Sequence, residues 1–342
     1  MTIRAFIAGV SGLALTDDER TFLREQRPWG FILFKRNVDT PAQVARLVEE
    51  LRDTVGRPDA PVLIDQEGGR VQRLGPPHWP AYPPGSVFGT LYERNPADGL
   101  RAAWLSSRLI AADLSELGIT VDCLPLADVP VPGADAVIGN RAYGTDPKQV
   151  AAIARAVTEG LSDGGILPIL KHIPGHGRAT ADSHLRLPTV DTPREELART
   201  DFEPFRRLAD LPMAMTAHVV FSALDAAQPA TTSATIITEV IRGAIGFQGL
   251  LMSDDVSMNA LSGSIAERTA AIVAAGCDMV LHCNGKLDEM REVVSRTPEL
   301  TGEALARAER ALASRKAPQP FDREAGRAEL DRWIDQAGRL NA

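Results

Sequence analysis

The densest run of chemically capable side chains is Lys171-His172-Ile173-Pro174-Gly175-His176-Gly177, continuing to Asp182-Ser183-His184. One proline and two glycines mark a constrained loop that a helix would not absorb. Such a loop can return Asp182 and His184 over the end of the preceding strand. The Asp-x-His spacing lets the carboxylate orient the imidazole and stabilise its cation, an arrangement suited to proton transfer near neutral pH. A lone histidine in a loop is often a hydrogen-bonded packing residue, so it is the cluster, not any one ring, that points to chemistry.

Two acidic stretches complement it. Asp254 sits in Met252-Ser253-Asp254-Asp255, directly after an apolar run. A carboxylate there can attack an anomeric carbon while a second group, about 5 Å away in a retaining geometry, protonates the leaving oxygen. Its neighbour Asp255 reads more simply as a cap for the next helix. Asp65 lies in Ile64-Asp65-Gln66-Glu67-Gly68-Gly69-Arg70-Val71-Gln72-Arg73, where a carboxylate can accept hydrogen bonds from adjacent sugar hydroxyls. Gly68-Gly69 permits close backbone approach, although turns need glycine too. Arg73 and Arg141 can bind polar substituents; taken singly, each is as readily a salt-bridge residue.

These residues must be positioned by repeating elements. Apolar strand-like runs recur at Ala5–Val10, Gly30–Phe34, Pro61–Ile64, Ile119–Leu126, Ile166–Leu170, Met213–Ala217, Gly249–Met252 and Cys277–Leu281. Between them the spacing predicts helices over Pro41–Val55, Leu100–Leu117, Asp146–Ser162, Arg194–Ala209, Ala234–Ile245 and Ser264–Ala275. Thr40-Pro41, Asp146-Pro147 and Thr192-Pro193 each place a capping residue before a proline at the first helical position. Gly118, Gly246 and Gly276 fall where helices should stop. Eight buried-type strands alternating with helices point to a parallel α/β protein. An open doubly wound sheet is compatible with that pattern, but eight repeats favour a closed (β/α)₈ TIM barrel. Gly75–Gly89 and Pro125–Gly144 read as long irregular stretches able to shape a site. The expected organisation is one barrel domain over 1–300 with a C-terminal helical extension over 301–342. A barrel places reactive groups just after its strands. Asp65, Glu67, Asp128, Lys171, His172, His218, Asp254, Asp255 and His282 all fall there.

Composition narrows the function classes. The 342 residues are 44% hydrophobic and 24% charged, as expected of a globular protein, and the formal charge of −8 argues against nucleic acid or an anionic membrane as partner. Cys123, Cys277 and Cys283 form no metal-binding or disulfide spacing and suit a reducing compartment. Arg4 followed by Ala5–Leu15 is a poor leader sequence, broken by glycines and followed by Asp17-Asp18-Glu19, and reads better as a first strand. No run approaches the ~18 apolar residues of a membrane span. Metal-dependent barrel hydrolases place a His-x-His pair after the first strand, where this chain has Gly9-Val10-Ser11-Gly12, so no metal or other cofactor is expected.

Taken in order, Ile64–Arg73, Ile138-Gly139-Asn140-Arg141-Ala142-Tyr143, the Lys171–His184 block and Ser253-Asp254-Asp255-Val256-Ser257-Met258 resemble family 3 of the glycoside hydrolases. The resemblance is closest to the bacterial β-N-acetylhexosaminidases of NagZ type that act in peptidoglycan recycling. It spans roughly residues 1–300. It implies a cytoplasmic, retaining exo-β-N-acetylglucosaminidase acting on GlcNAc-1,6-anhydroMurNAc peptides, with Asp254 as nucleophile, His184 as general acid/base and Asp182 as its partner. Asp65, Arg73, Arg141, Lys171 and His172 are implied as sugar-binding residues. The expected partner is a small-molecule sugar or muropeptide; oligomeric state is left open. Asn140 stands where an acidic residue is common, and Thr216-Ala217-His218 replaces a frequent Pro-Ala-His. Many relatives draw a glutamic acid from a second domain for which this chain has no room. A histidine of ordinary pKa about 6.5 can serve instead as acid and then as base. The other readings are a β-glucosidase on the same fold, a metal-dependent hydrolase, and a sugar-binding protein without turnover.

Overall fold

The computed structural model describes residues 2–183 and 185–340, with the Leu340 side chain excepted. Eight parallel staves close into a barrel: β1 (Arg4–Gly9), β2 (Pro28–Leu33), β3 (Val62–Ile64), β4 (Val121–Asp122), β5 (Leu167–Pro168 and Leu170–Ile173), β6 (Met213–Thr216), β7 (Leu250–Asp255) and β8 (Met279–His282). β5 is split at Ile169, whose N–H donates to both Asp122 and Leu124 carbonyls; its first half pairs with β4 and its second with β6. The ring closes where β8 pairs with β1, Ile7 opposite Leu281.

The alternation that identifies the strands also divides the core. In β1, Ala5 and Ile7 point into the barrel with Trp29, Met252 and Met279, while Phe6 and Ala8 face the surrounding helices. The barrel floor is closed by a helix from the tail. Ala308 and Ala311 of the helix Gly302–Ala313 pack into the interior cluster, and Arg307 pairs with the buried Asp278 at 2.9 Å. A further helix, Arg323–Leu340, lies against Pro96–Glu116, and Arg323 binds Asp113 and Glu116 there.

Several local expectations are met closely. Pro41–Val55 is helical over that span, its Thr40 hydroxyl accepting from Gln43 N–H, and Asp146 caps Pro147–Asp163. Others need correction. Asp17-Asp18-Glu19 is the first turn of a helix, Asp17–Gln26, with a complete capping box from Thr16 and Glu19. Gly85–Arg94, half of it assigned to an irregular stretch, is also helical. The single helix expected over Arg194–Ala209 breaks in two at Thr200–Asp201, because the Asp201 carboxylate turns inward to take Arg178. Ile236–Ile245 winds as a π-helix ended by Gly246 in the left-handed conformation. Its apolar residues still face the core, so the sequence periodicity survives the wider turn.

Candidate active site

At the C-terminal mouth of the barrel a cavity of about 300 Å³ is lined by Asp65, Glu67, Arg73, Arg141, Lys171, His172, His176, Ser183, Asp254 and Asp255, among others. One wall comes from β3 and β5. After β3 the chain turns through a small hairpin, Gln66–Gly68 against Val71–Gln72. A side chain at Gly68 (φ +97°) would place its Cβ 2.4 Å from the Pro83 carbonyl, so this tip requires glycine. The hairpin is locked from within by Gln66. Its side-chain oxygen accepts from Arg73 and Leu74 N–H, and its amide donates to the Leu74 carbonyl.

That lock holds two carboxylates against three cations. Lys171 Nζ, at the top of β5, lies 2.9 Å from Asp65 and 2.7 Å from Glu67. Arg73 donates to Asp65 at 2.9 Å and stacks over the Phe34 ring at 5.0 Å. Arg141 grips Glu67 with two parallel bonds of 2.8 and 2.7 Å. Burial would raise the Asp65 carboxyl pKa, but Lys171 and Arg73 outweigh it and hold the group ionised, below its ordinary range. Burial acts the same way on Glu67, and Lys171 and Arg141 overcome it to bring that carboxyl down to about 2. Lys171 is correspondingly kept charged: burial disfavours the ammonium, yet Asp65 and Glu67 push its pKa above the usual value. Two of the roughly four acceptor positions on Asp65 are used by these cations, which leaves acceptor capacity for hydroxyl groups.

A second buried carboxylate organises the histidines. Asp128, beyond β4, takes His172 Nδ1 at 2.7 Å and the His176 backbone N–H at 2.7 Å. Burial opposes its ionisation, but His172 draws its pKa below the ordinary value. With Nδ1–H committed to Asp128, His172 presents Nε2 as its remaining polar atom. His176 Nε2 lies 3.0 Å from Ser183 Oγ.

The opposite wall ends β7. Asp254 and Asp255 both line the cavity but are used differently. Asp254 is half-buried and accepts the Asp255 N–H at 2.8 Å. Asp255 accepts from Ser257 N–H, Ser257 Oγ and Cys283 N–H, which ties β7 to the turn after it and to β8. It does not cap the next helix; Ser264 does that.

Six of the residues singled out from the sequence therefore share one cavity: Asp65, Arg73, Arg141, Lys171, His172 and Asp254. Asp182 is half-buried on the loop after β5, its carbonyl accepting from Leu185 and Arg186 N–H in a tight turn. His184 lies outside the described residues. Two histidines at strand ends are structural. His218 is fully buried between Thr231 Oγ1 and the Asp255 carbonyl, and His282 lies beside Glu289 at 3.3 Å. Position after a strand was a sound guide to the mouth of the barrel, but it could not separate these two from the lining. Glu67 and Asp128 were placed at the mouth without a role. Their partners lie 74 and 44 residues away, so no local spacing signals them. Among the described residues no group of three or more His, Cys, Asp or Glu side chains is arranged to hold a metal ion, and no helix is long and apolar enough to cross a membrane.

Comparison with known proteins agrees with this arrangement. The profile of the "Glycosyl hydrolase family 3 N terminal domain" matches residues 6–313. A protein described as "Beta-hexosaminidase" from Alkalilimnicola ehrlichii is 40% identical over 290 residues, 83% of this chain and 82% of the relative. One with the same description from Bordetella avium is 37% identical over 295 residues, 84% and 83% of the two chains. Among solved structures, NagZ from Neisseria gonorrhoeae in complex with N-trifluoroacetyl-D-glucosamine superposes with a TM-score of 0.85 at 31% identity, covering 100% of this chain and 99% of that one.

Proposed function

We propose, for a chain that belongs to glycoside hydrolase family 3 and is one of its β-hexosaminidases, a retaining, exo-acting hydrolysis of terminal β-linked N-acetylglucosamine. The observation that carries this reading is the presence of Asp254 in one small cavity with the Asp65–Lys171–Glu67 wall. A carboxylate facing a fixed set of acceptors and cations is what a nucleophile opposite a gripped sugar ring requires. A cavity of about 300 Å³ is at the small end of ligand sites, which favours a terminal residue over the middle of a chain.

In the proposed reaction an Asp254 oxygen attacks C1 and the glycosidic C1–O bond breaks. His184, oriented by Asp182, gives its proton to the departing oxygen. In the second step His184 takes a proton from water, whose oxygen attacks C1, and Asp254 leaves as the carboxylate. Two inversions give net retention. Asp65, Arg73, Arg141, Lys171 and His172 hold the sugar. The family resemblance supports GlcNAc-1,6-anhydroMurNAc peptides as the physiological substrate. Three buried free thiols favour a cytoplasmic setting. Residues 1–300 act as the catalytic barrel, with 301–342 as a C-terminal helical extension packed on it.

The test is trapping with a 5-fluoro N-acetylglucosamine reagent and mapping of the labelled peptide. The expected label falls within 252–258; a label on any other segment overturns the nucleophile assignment. For the acid, His184→Ala should hydrolyse aryl N-acetylglucosaminides with poor leaving groups about 10²–10⁴-fold more slowly, while substrates with very acidic leaving groups are largely spared. Equal losses on both would remove His184 from that role.

A further inference from the structure

The cluster after β5 contains a histidine that the proposed reaction does not use. His176 is 3% exposed, and its ring lies 5.6 Å from that of His172. Burial, followed by the neighbouring His172, brings its pKa down to about 4, so near neutral pH the ring is uncharged and carries one N–H. Nε2 lies 3.0 Å from Ser183 Oγ, whereas Nδ1 is buried with no hydrogen-bond partner among the described residues. A proton on Nδ1 would leave a buried donor unmade, so the tautomer with Nε2–H donating to Ser183 Oγ is the less costly one.

Ser183 is placed where this bond matters. It is 2% exposed and lines the cavity. Beyond it the chain surfaces, with Leu185 74% exposed. Earlier parts of the loop are held independently. Gly177 is pressed against Val129, Asp135 N–H donates to the Ala179 carbonyl, and Arg178 pairs with Asp201 at 2.6 Å. The His176–Ser183 bond is thus a buried anchor two residues before the exposed Leu185. Asp182 and His184 each lie one peptide unit from it, about 3.8 Å between Cα atoms. At its other end, the His176 backbone is held by the same Asp128 that holds the His172 ring.

We propose that His176 is a positioning residue for proton transfer. Through Ser183 it fixes, as a latch, the end of the loop from which His184 follows, and through Asp128 it registers that end with the His172 side chain that grips the sugar. The proposal rests on His184 being the acid. A general acid must come within about 2.6–3.2 Å of the oxygen it protonates, and a misplacement of about 1 Å costs on the order of 10² in rate. Loss of the latch should therefore slow the reaction in proportion to how much the leaving group needs a proton.

The experiment measures kcat/KM for a series of aryl N-acetylglucosaminides of graded leaving-group acidity, using the full chain. For His176→Leu and Ser183→Ala, the phenyl substrate should slow by about 10- to 100-fold and the dinitrophenyl substrate by less than about 3-fold. His176→Gln, whose amide N–H can reach the position of Nε2, should recover most of the loss. In a His184→Ala background, His176→Leu should add nothing further. Ser183→Ala removes one oxygen atom and covers the case in which His176→Leu does not fold. A uniform fall across leaving groups in Ser183→Ala, or a fully additive loss in the double variant, overturns the latch. The two readings separate cleanly. A steep series for His184→Ala with a flat one for Ser183→Ala defeats the latch alone. A flat series for His184→Ala with a steep one for Ser183→Ala defeats the assignment of His184 while leaving the loop anchored for another donor.

Discussion

On the β3–β5 side of the pocket, Asp65, Glu67, Arg73, Arg141 and Lys171 each have an oppositely charged partner within 2.9 Å. The loop after β5 approaches the same pocket differently. Near its end the neutral pair His176–Ser183 is buried, and Leu185, Arg186 and Leu187 beyond it are exposed. The first wall is set by ions removed from water, where each group fixes the others because an unpaired charge there is costly. The second has an ion pair only in its earlier part, Arg178 with Asp201, and its end is set by packing and a few hydrogen bonds, each of about 1 kcal/mol net. If the proposed reaction holds, gripping one ring and moving a proton twice are separate tasks, which gives a reason to divide the work in this way. In the proposed reaction the wall assigned to the sugar is already organised by its ion pairs, while the assigned acid follows a loop end held by a neutral hydrogen bond.

Four measurements test that contrast. The largest effect should follow removal of the proposed nucleophile. Asp254→Ala should lower kcat by at least about 10³-fold while leaving thermal stability close to the parent, since its side chain is only half-buried. Next is the ionic wall. Lys171→Met removes the cation that Asp65 and Glu67 share, leaving each with one arginine, and should cost up to about 3–5 kcal/mol in denaturant unfolding, in addition to any effect on sugar binding. A loss below about 1 kcal/mol would show that the wall is not held by its ion pairs.

The pH dependence of stability probes both walls. His176 falls from 6.5 to about 4 on folding, so between those values the unfolded chain binds a proton that the folded chain refuses. Its contribution therefore weakens as pH falls from 6.5 towards 4, by up to about 1.4 kcal/mol per pH unit. Glu67 falls from 4.5 to about 2, so its contribution is intact above pH 4.5 and is lost as pH drops towards 2. Unfolding free energies of the parent and His176→Gln should diverge between pH 6.5 and 4, and curves that stay parallel there would contradict a neutral, buried His176. The smallest effect belongs to the exposed end of the loop. Leu185→Ser should change stability by no more than about 0.5 kcal/mol, because that side chain is 74% exposed.

Much of the scaffold was legible because its signals are local. Thr40-Pro41 and Asp146-Pro147 mark helix starts through bonds made within three residues, and the alternation in Ala5–Val10 reports which side of a strand is buried. The misreadings have equally specific causes. The capping box of Thr16 and Glu19 was hidden in a run of charge that looked like mere polarity. The break at Thr200–Asp201 depends on Arg178, which is more than twenty residues earlier in the chain. Lys171 and Asp65 could each be proposed for sugar binding from their motifs. Their direct ion pair across the mouth, and the share of it taken by Glu67, could not.

By itself, then, the sequence determined the order of strands and helices, the barrel that eight such repeats build, and the residues delivered to its C-terminal mouth. These follow from periodicity and capping, interactions between neighbours in the chain. Barrel closure alone decided which of those residues became lining and which became support. It turned His218 and His282 into buried structural pairs, made Glu67 the shared counter-ion of Lys171 and Arg141, and set Asp128 beneath two histidines. The physical reason is that charge pairing acts over a few ångströms of space, and residues far apart along the chain come within that range only when the ring is complete.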